Sequence, residues 1–130
     1  MLKPSAKRAA IRGQGRIPTG AELADGSVDL IVSNASLQWA TDLDRTFAEL
    51  RRVLRPGGLL MFTTFGPDTL KELRAAWSAA DGHTHVSRFI DMHDVGDALV
   101  QAGLADPVLD VHRLTITWPD VAAIRRDHVA

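Results

Sequence analysis

The sequence predicts an α/β protein with a mainly parallel sheet and helices on its faces. Two short apolar runs, Val28-Asp29-Leu30-Ile31-Val32 and Leu59-Leu60-Met61-Phe62-Thr63-Thr64-Phe65, have the continuous character of strands buried on both sides. Between and after them, apolar residues recur at helical spacing, and the resulting order of strand, helix, strand, helix is that of a parallel sheet with crossover helices.

The elements follow in order. Lys3, Lys7, Arg8, Arg12 and Arg16 make the opening basic, with no acid, no aromatic residue and little periodicity. Residues 1–20 therefore read as a poorly ordered basic leader, and 21–130 as the folded part. Gly13-Gln14-Gly15 lacks the third glycine, the preceding strand and the following helix of a dinucleotide-binding loop. Gly26 and Ser33-Asn34 bound the first apolar strand. Leu43, Phe47, Leu50 and Leu54 then share one face of a helix, opened by Thr41 and Asp44 as a capping box and closed by Pro56-Gly57-Gly58. After the second strand, Pro67 and Asp68 begin a helix with Leu70, Leu73, Trp77 and Ala80 on one face, ending before Gly82. Asp91 caps a third helix with Met92, Val95, Leu99 and Ala102 on its apolar face, closed by Gly103. Beyond Pro107 a third strand is expected, Leu109 and Val111 facing one way and Leu114, Ile116 and Trp118 continuing past a bulge at His112-Arg113. Pro119-Asp120 starts a last helix. The outer strands of such a set expose hydrogen-bonding edges, through which copies of the chain could associate.

Composition removes several classes of function. The 130 residues contain no cysteine, which excludes a disulfide scaffold and thiolate zinc sites. The histidines at 83, 85, 93, 112 and 128 show no ligand spacing, so no metal is expected. No apolar run reaches the roughly 20 residues of a membrane helix, and the opening lacks a signal peptide's apolar stretch. A cytoplasmic protein without membrane or nucleic-acid partners is the expectation. Outside the leader, 10 bases stand against 16 acids.

Three stretches carry a resemblance. Asp25 to Asn34, then Leu37-Gln38-Trp39, then Phe47-Ala48-Glu49-Leu50-Arg51-Arg52-Val53-Leu54-Arg55-Pro56-Gly57-Gly58 resemble the second half of a class I S-adenosylmethionine-dependent methyltransferase, a Rossmann-like fold. Thr64 to Arg74 and His85 to Phe89 extend the likeness toward the malonyl-acyl-carrier-protein O-methyltransferases of biotin biosynthesis. The helix ending in Leu-Arg-Pro-Gly-Gly is shared by many methyltransferases, whereas the stretch from Thr64 to Phe89 points to this branch.

The resemblance implies S-adenosylmethionine as co-substrate and a malonyl thioester, on an acyl carrier protein or coenzyme A, as methyl acceptor. Ligands in open α/β sheets bind outside the carboxyl ends of the strands. The resemblance therefore places Ser33, Asn34 and Leu37 at the cofactor, and Gln38, Trp39, Phe65, His85 and Arg88 at the substrate. Arg88 would hold the free malonyl carboxylate through its paired donors. A carboxylate is already ionised at neutral pH, so no catalytic acid or base is expected. Arg45, Arg51, Arg52, Arg55, Lys71 and Arg74 would offer an acidic carrier protein a basic surface.

The family's glycine-rich cofactor loop and ribose-binding acid have no counterpart in the sequence. The expectation is thus the C-terminal part of a methyltransferase domain with impaired cofactor binding. The alternatives are a non-catalytic remnant or interaction protein, and a relative of the methyltransferase-like hydroxylase of complex I assembly.

Overall fold

The sheet is built around the Val28-Asp29-Leu30-Ile31-Val32 run. In the computed structural model, which describes residues 8–11, 23–83 and 89–128, that run lies in β2 (Val28–Asn34), the middle strand of three. β1 (Arg8–Ile11) and β3 (Leu54–Thr63) flank it, both parallel to it. The β2–β3 ladder runs from Leu30 opposite Leu59 to Asn34 opposite Thr63, and its register breaks between Val28 and Leu30. Pro56 and Gly57 fall at that break. A proline cannot donate to a ladder, and Gly57 takes φ +78°, a conformation that side chains disfavour.

Helix α1 (Leu43–Val53) crosses from β2 to β3. Its cap is Asp42 rather than Thr41: the Asp42 carboxylate accepts the Arg45 N–H at 3.0 Å. Either residue type can cap, and backbone geometry favours Asp42, whose extended φ and ψ turn the carboxylate toward the first free amides. Phe47, Leu50 and Val53 project from α1 into the core. There Phe47, fully buried, meets the Phe62 ring of β3 with centroids 5.6 Å apart.

Helix α3 (Met92–Gln101) packs beside α1, adding Val95, Ala98 and Leu99 to the same core. Asp91 caps it as the sequence predicts, accepting the His93 N–H at 3.1 Å. That bond and the His93 ring hold the Asp91 carboxyl below the usual carboxylate range. Gly103 ends the helix at φ +83°, and the Leu104 N–H returns to the Leu99 carbonyl at 3.0 Å.

At the amino end of β2, Arg52 donates to Asp25, to Glu49 and to the Leu23 carbonyl, while Arg55 pairs with Asp29. Arg51 donates to the Gly103 carbonyl at 3.2 Å. These three arginines tie elements together.

Three further outcomes differ from the sequence reading. A strand, β1, lies inside the stretch read as an unordered leader; four residues are too few to show a periodicity, and the ladder to β2 defines them. The stretch after Pro107 forms no strand. Val111, Leu114 and Ile116 are 56%, 87% and 66% exposed, so they share no buried face. Alternating apolar residues become a strand only against a partner, and no described strand pairs with these. Helix α2 (Lys71–Ala80) begins a turn later than expected, after Pro67–Leu70, and buries none of its residues. The last helix, α4 (Val121–His128), starts where Asp120 accepts the Ala123 N–H at 2.8 Å.

Candidate substrate cleft

The carboxyl ends of β2 and β3 are joined by a hydrogen-bonded clamp. Ala35, the first residue past β2, sits at φ +48°, a left-handed conformation costing roughly 1–2 kcal/mol in an L-residue. Its N–H donates to both oxygens of Thr63, 3.1 Å to the carbonyl and 3.0 Å to the hydroxyl. The Thr63 hydroxyl in turn donates to the Asn34 side-chain oxygen. Asn34 is therefore engaged in shaping the turn. Two more bonds finish it: the Ser36 hydroxyl donates to the Asn34 carbonyl at 3.1 Å, and the Gln38 amide nitrogen to the Ala35 carbonyl at 2.6 Å. Because that carbonyl can only accept, the contact fixes which end of the Gln38 amide is nitrogen.

This turn leads into the single 3₁₀ turn Leu37–Trp39, whose side chains part company. Leu37 is buried and Gln38 half-buried, and both line a shallow cleft open to solvent. Trp39 is 63% exposed and is not among the lining residues. Phe65, two residues past β3, lines the cleft from the other strand and meets Phe89 edge to face, ring centroids 5.5 Å apart. Phe47 and Phe62 form its floor, with Thr64, Ile90 and Val95 completing it.

Among the candidate residues, the fold thus gathers Leu37, Gln38 and Phe65 into one cleft at the carboxyl ends of the strands. Ser33 lies one residue before the end of β2, 1% exposed, with a hydroxyl that has no partner among the described residues. His85 and Arg88 lie outside the described residues. Sequence reasoning missed Thr63 and Thr64. A threonine at the end of an apolar strand carries no signal of its own, and the role of Thr63 emerges only when Asn34 is brought opposite it. Among the described residues no group of histidines, aspartates and glutamates could hold a metal ion, and no helix is long and apolar enough to cross a membrane.

Parallel strands with a crossover helix, and a cleft at their carboxyl ends, define the class. Residues 3–62 match the family model of the methyltransferase domain. The fold is similar to the crystal structure of a SAM-dependent methyltransferase from Thermotoga maritima: the TM-score is 0.50 at 21% identity, over 68% of this chain and 42% of that one. Over residues 3–62 the chain is thus similar to the methyltransferase domain family, and its fold is a partial Rossmann-like one. More particularly, it is 59% identical over 105 residues to the malonyl-[acyl-carrier protein] O-methyltransferase of Methylovorus sp. (strain MP688), covering 81% of this chain and 36% of that protein. To the enzyme of the same name from Laribacter hongkongensis (strain HLHK9) it is 58% identical, over 81% of this chain and 35% of that one. The chain thus spans about a third of the length of these relatives. The family start at residue 3 also brings the basic opening, β1 included, within the methyltransferase match.

Proposed function

We propose that this chain forms the methyl-acceptor side of a malonyl-thioester O-methyltransferase serving biotin biosynthesis. The observation that carries the reading is the cleft that Leu37, Gln38 and Phe65 share at the carboxyl ends of β2 and β3, in a segment 59% identical to an enzyme of that name. The described lining is apolar and aromatic, with the Gln38 amide and the Thr64 hydroxyl as its polar side chains. No acid or base faces the cleft from those residues, and the reaction calls for none, because the attacking carboxylate is ionised at neutral pH.

S-adenosylmethionine, the co-substrate that the family implies, supplies an electrophilic methyl on a sulfonium when bound. Ser33, whose buried hydroxyl has no partner among the described residues, is among the residues that the resemblance puts at that co-substrate. For the acceptor, the aromatic walls exclude water and the clamp at Thr63 fixes the height of Gln38. Holding the carboxylate and the methyl in line supplies the acceleration, as expected where positioning replaces acid–base chemistry. Arg88 is assigned, from its sequence position, to the single free carboxylate of the malonyl thioester.

The test is a segment exchange. The 105-residue stretch of the Methylovorus enzyme is replaced by the matching residues of this chain, and methyl transfer from labelled S-adenosylmethionine to malonyl-[acyl-carrier protein] is measured. Activity within about tenfold of the parent is expected. Arg88→Ala in the chimaera abolishes transfer while leaving cofactor binding intact. An inactive but folded chimaera that still binds both substrates contradicts the proposal.

A further inference from the structure

Two halves of a strand ladder lie unpaired in this chain. β3 ends the described sheet, and over Leu59–Thr63 its backbone groups turned away from β2 meet no described strand. Sheet edges are usually blunted by a charge, a proline or a bulge, and Leu59-Leu60-Met61-Phe62-Thr63 has none of these. The other half is the stretch 108–117, which belongs to no helix or strand. Its one described backbone bond runs from the Val111 N–H to the neighbouring Asp110 carboxylate at 2.8 Å. Val108, Leu114 and Ile116 share a parity and stand exposed, as alternate residues of a strand without a neighbour do. Ties elsewhere keep this stretch off its own β3. Leu109 packs so closely on Gly96 of α3 that an added Cβ there would meet its side chain at 3.0 Å. Arg113 pairs with Asp68 at 3.4 Å, beyond the end of β3, and the Trp118 ring N–H donates to Asp127 at 2.6 Å. The complement that each half lacks is one that every other copy of the chain carries.

We propose that two copies of this chain join their sheets edge to edge, the 108–117 stretch of each pairing as a strand with the β3 edge of the other. Ten residues are ample for a strand, which commonly has five or six. The exchange is reciprocal, so it closes into a symmetric pair instead of growing into a fibre. Each ladder pairs backbone groups that otherwise face water. It also sets Leu114 and Ile116 of one copy beside Leu59 and Met61 of the other, in both cases residues two apart on one side of a strand, and such cross-strand apolar pairs stabilise a sheet. The pairing stands apart from the acceptor reading of the cleft.

The test is sedimentation of the full chain between roughly 1 and 500 μM, where a two-copy species should appear and nothing larger follow it. Leu114→Pro combined with Thr115→Pro removes two successive amides, one of which must face the β3 edge. It should raise the dissociation constant about tenfold or more with the circular dichroism unchanged. Val32→Lys, on the open face and not at the edge, should leave that constant as it was. Hydrogen exchange on the unsubstituted chain reads the same contact without any substitution. The alternate amides of Leu59–Thr63 that are not bonded to β2 should slow about tenfold as the chain is concentrated across that range. A chain that stays single throughout, or one that grows past two copies, overturns the proposal. So does a pair that Val32→Lys dissolves and the prolines do not, because the sheets would then be stacked face to face. Amides along β3 that exchange at the same rate at both ends of the range overturn it as well.

Discussion

The two faces of the sheet differ sharply although both are apolar in sequence. On one side Ile31, Ser33, Leu60 and Phe62 lie under α1 and α3, with Ile31 and Ser33 1% exposed. On the other, Val32, Leu59 and Met61 are 44%, 55% and 55% exposed. Parallel sheets are normally covered on both faces. The contrast separates what a sequence pattern can do from what packing must add: the same alternating strands make a core only where a second layer exists.

That comparison can be broken most forcefully at its buried centre. Phe47→Ala should cost about 3–5 kcal/mol in urea denaturation, since a fully buried ring is lost from between α1 and β3. A smaller loss would mean that the covered face is loosely packed. The adjacent pair on β2 is the sharpest internal control. Ile31→Ala should lose about 2–5 kcal/mol, and Val32→Ala, one residue along on the other face, no more than about 1 kcal/mol. Equal losses would show that the second face is covered in solution. Next in size, Asp42→Ala removes the cap of α1 and should cost about 1 kcal/mol by the same measurement.

The smallest effect concerns the cap of α3. The Asp91 carboxyl is lowered by its bond from the His93 N–H and by the His93 side chain. Its contribution to stability is therefore present above the unfolded carboxyl's value and lost as pH falls through the lowered, folded one. Asp91→Asn keeps a capping oxygen without the titration, so melting temperature should depend less steeply on acid pH in this variant. An unchanged pH slope would show that the carboxylate is not engaged.

Legibility in the sequence followed the same division. The runs around Ile31 and Leu60, and the helix faces of Phe47 and Leu99, could be read because each period matched a partner that exists. Where the partner decides, the pattern misled: Leu114 and Ile116 alternate like strand residues yet stand exposed, and Arg8–Ile11 pairs with β2 without any pattern of its own. The resemblance singled out Leu37, Gln38 and Phe65 at the strand ends, and the fold brings these three into one cleft. Trp39 follows Gln38 directly, but the 3₁₀ turn directs it outward. The clamp of Thr63 on Asn34 and Ala35 depends on β2–β3 register, which is a tertiary fact.

The most direct measurement of the central claim is a titration of the chain with malonyl N-acetylcysteamine, followed by methyl and ring NMR. The account predicts that Leu37, Phe65, Phe89 and Val95 shift together, while Val28 and Leu54 at the opposite end of the strands and Leu59 and Met61 on the open face stay still. Shifts confined to the open face, or none at any concentration, would contradict it.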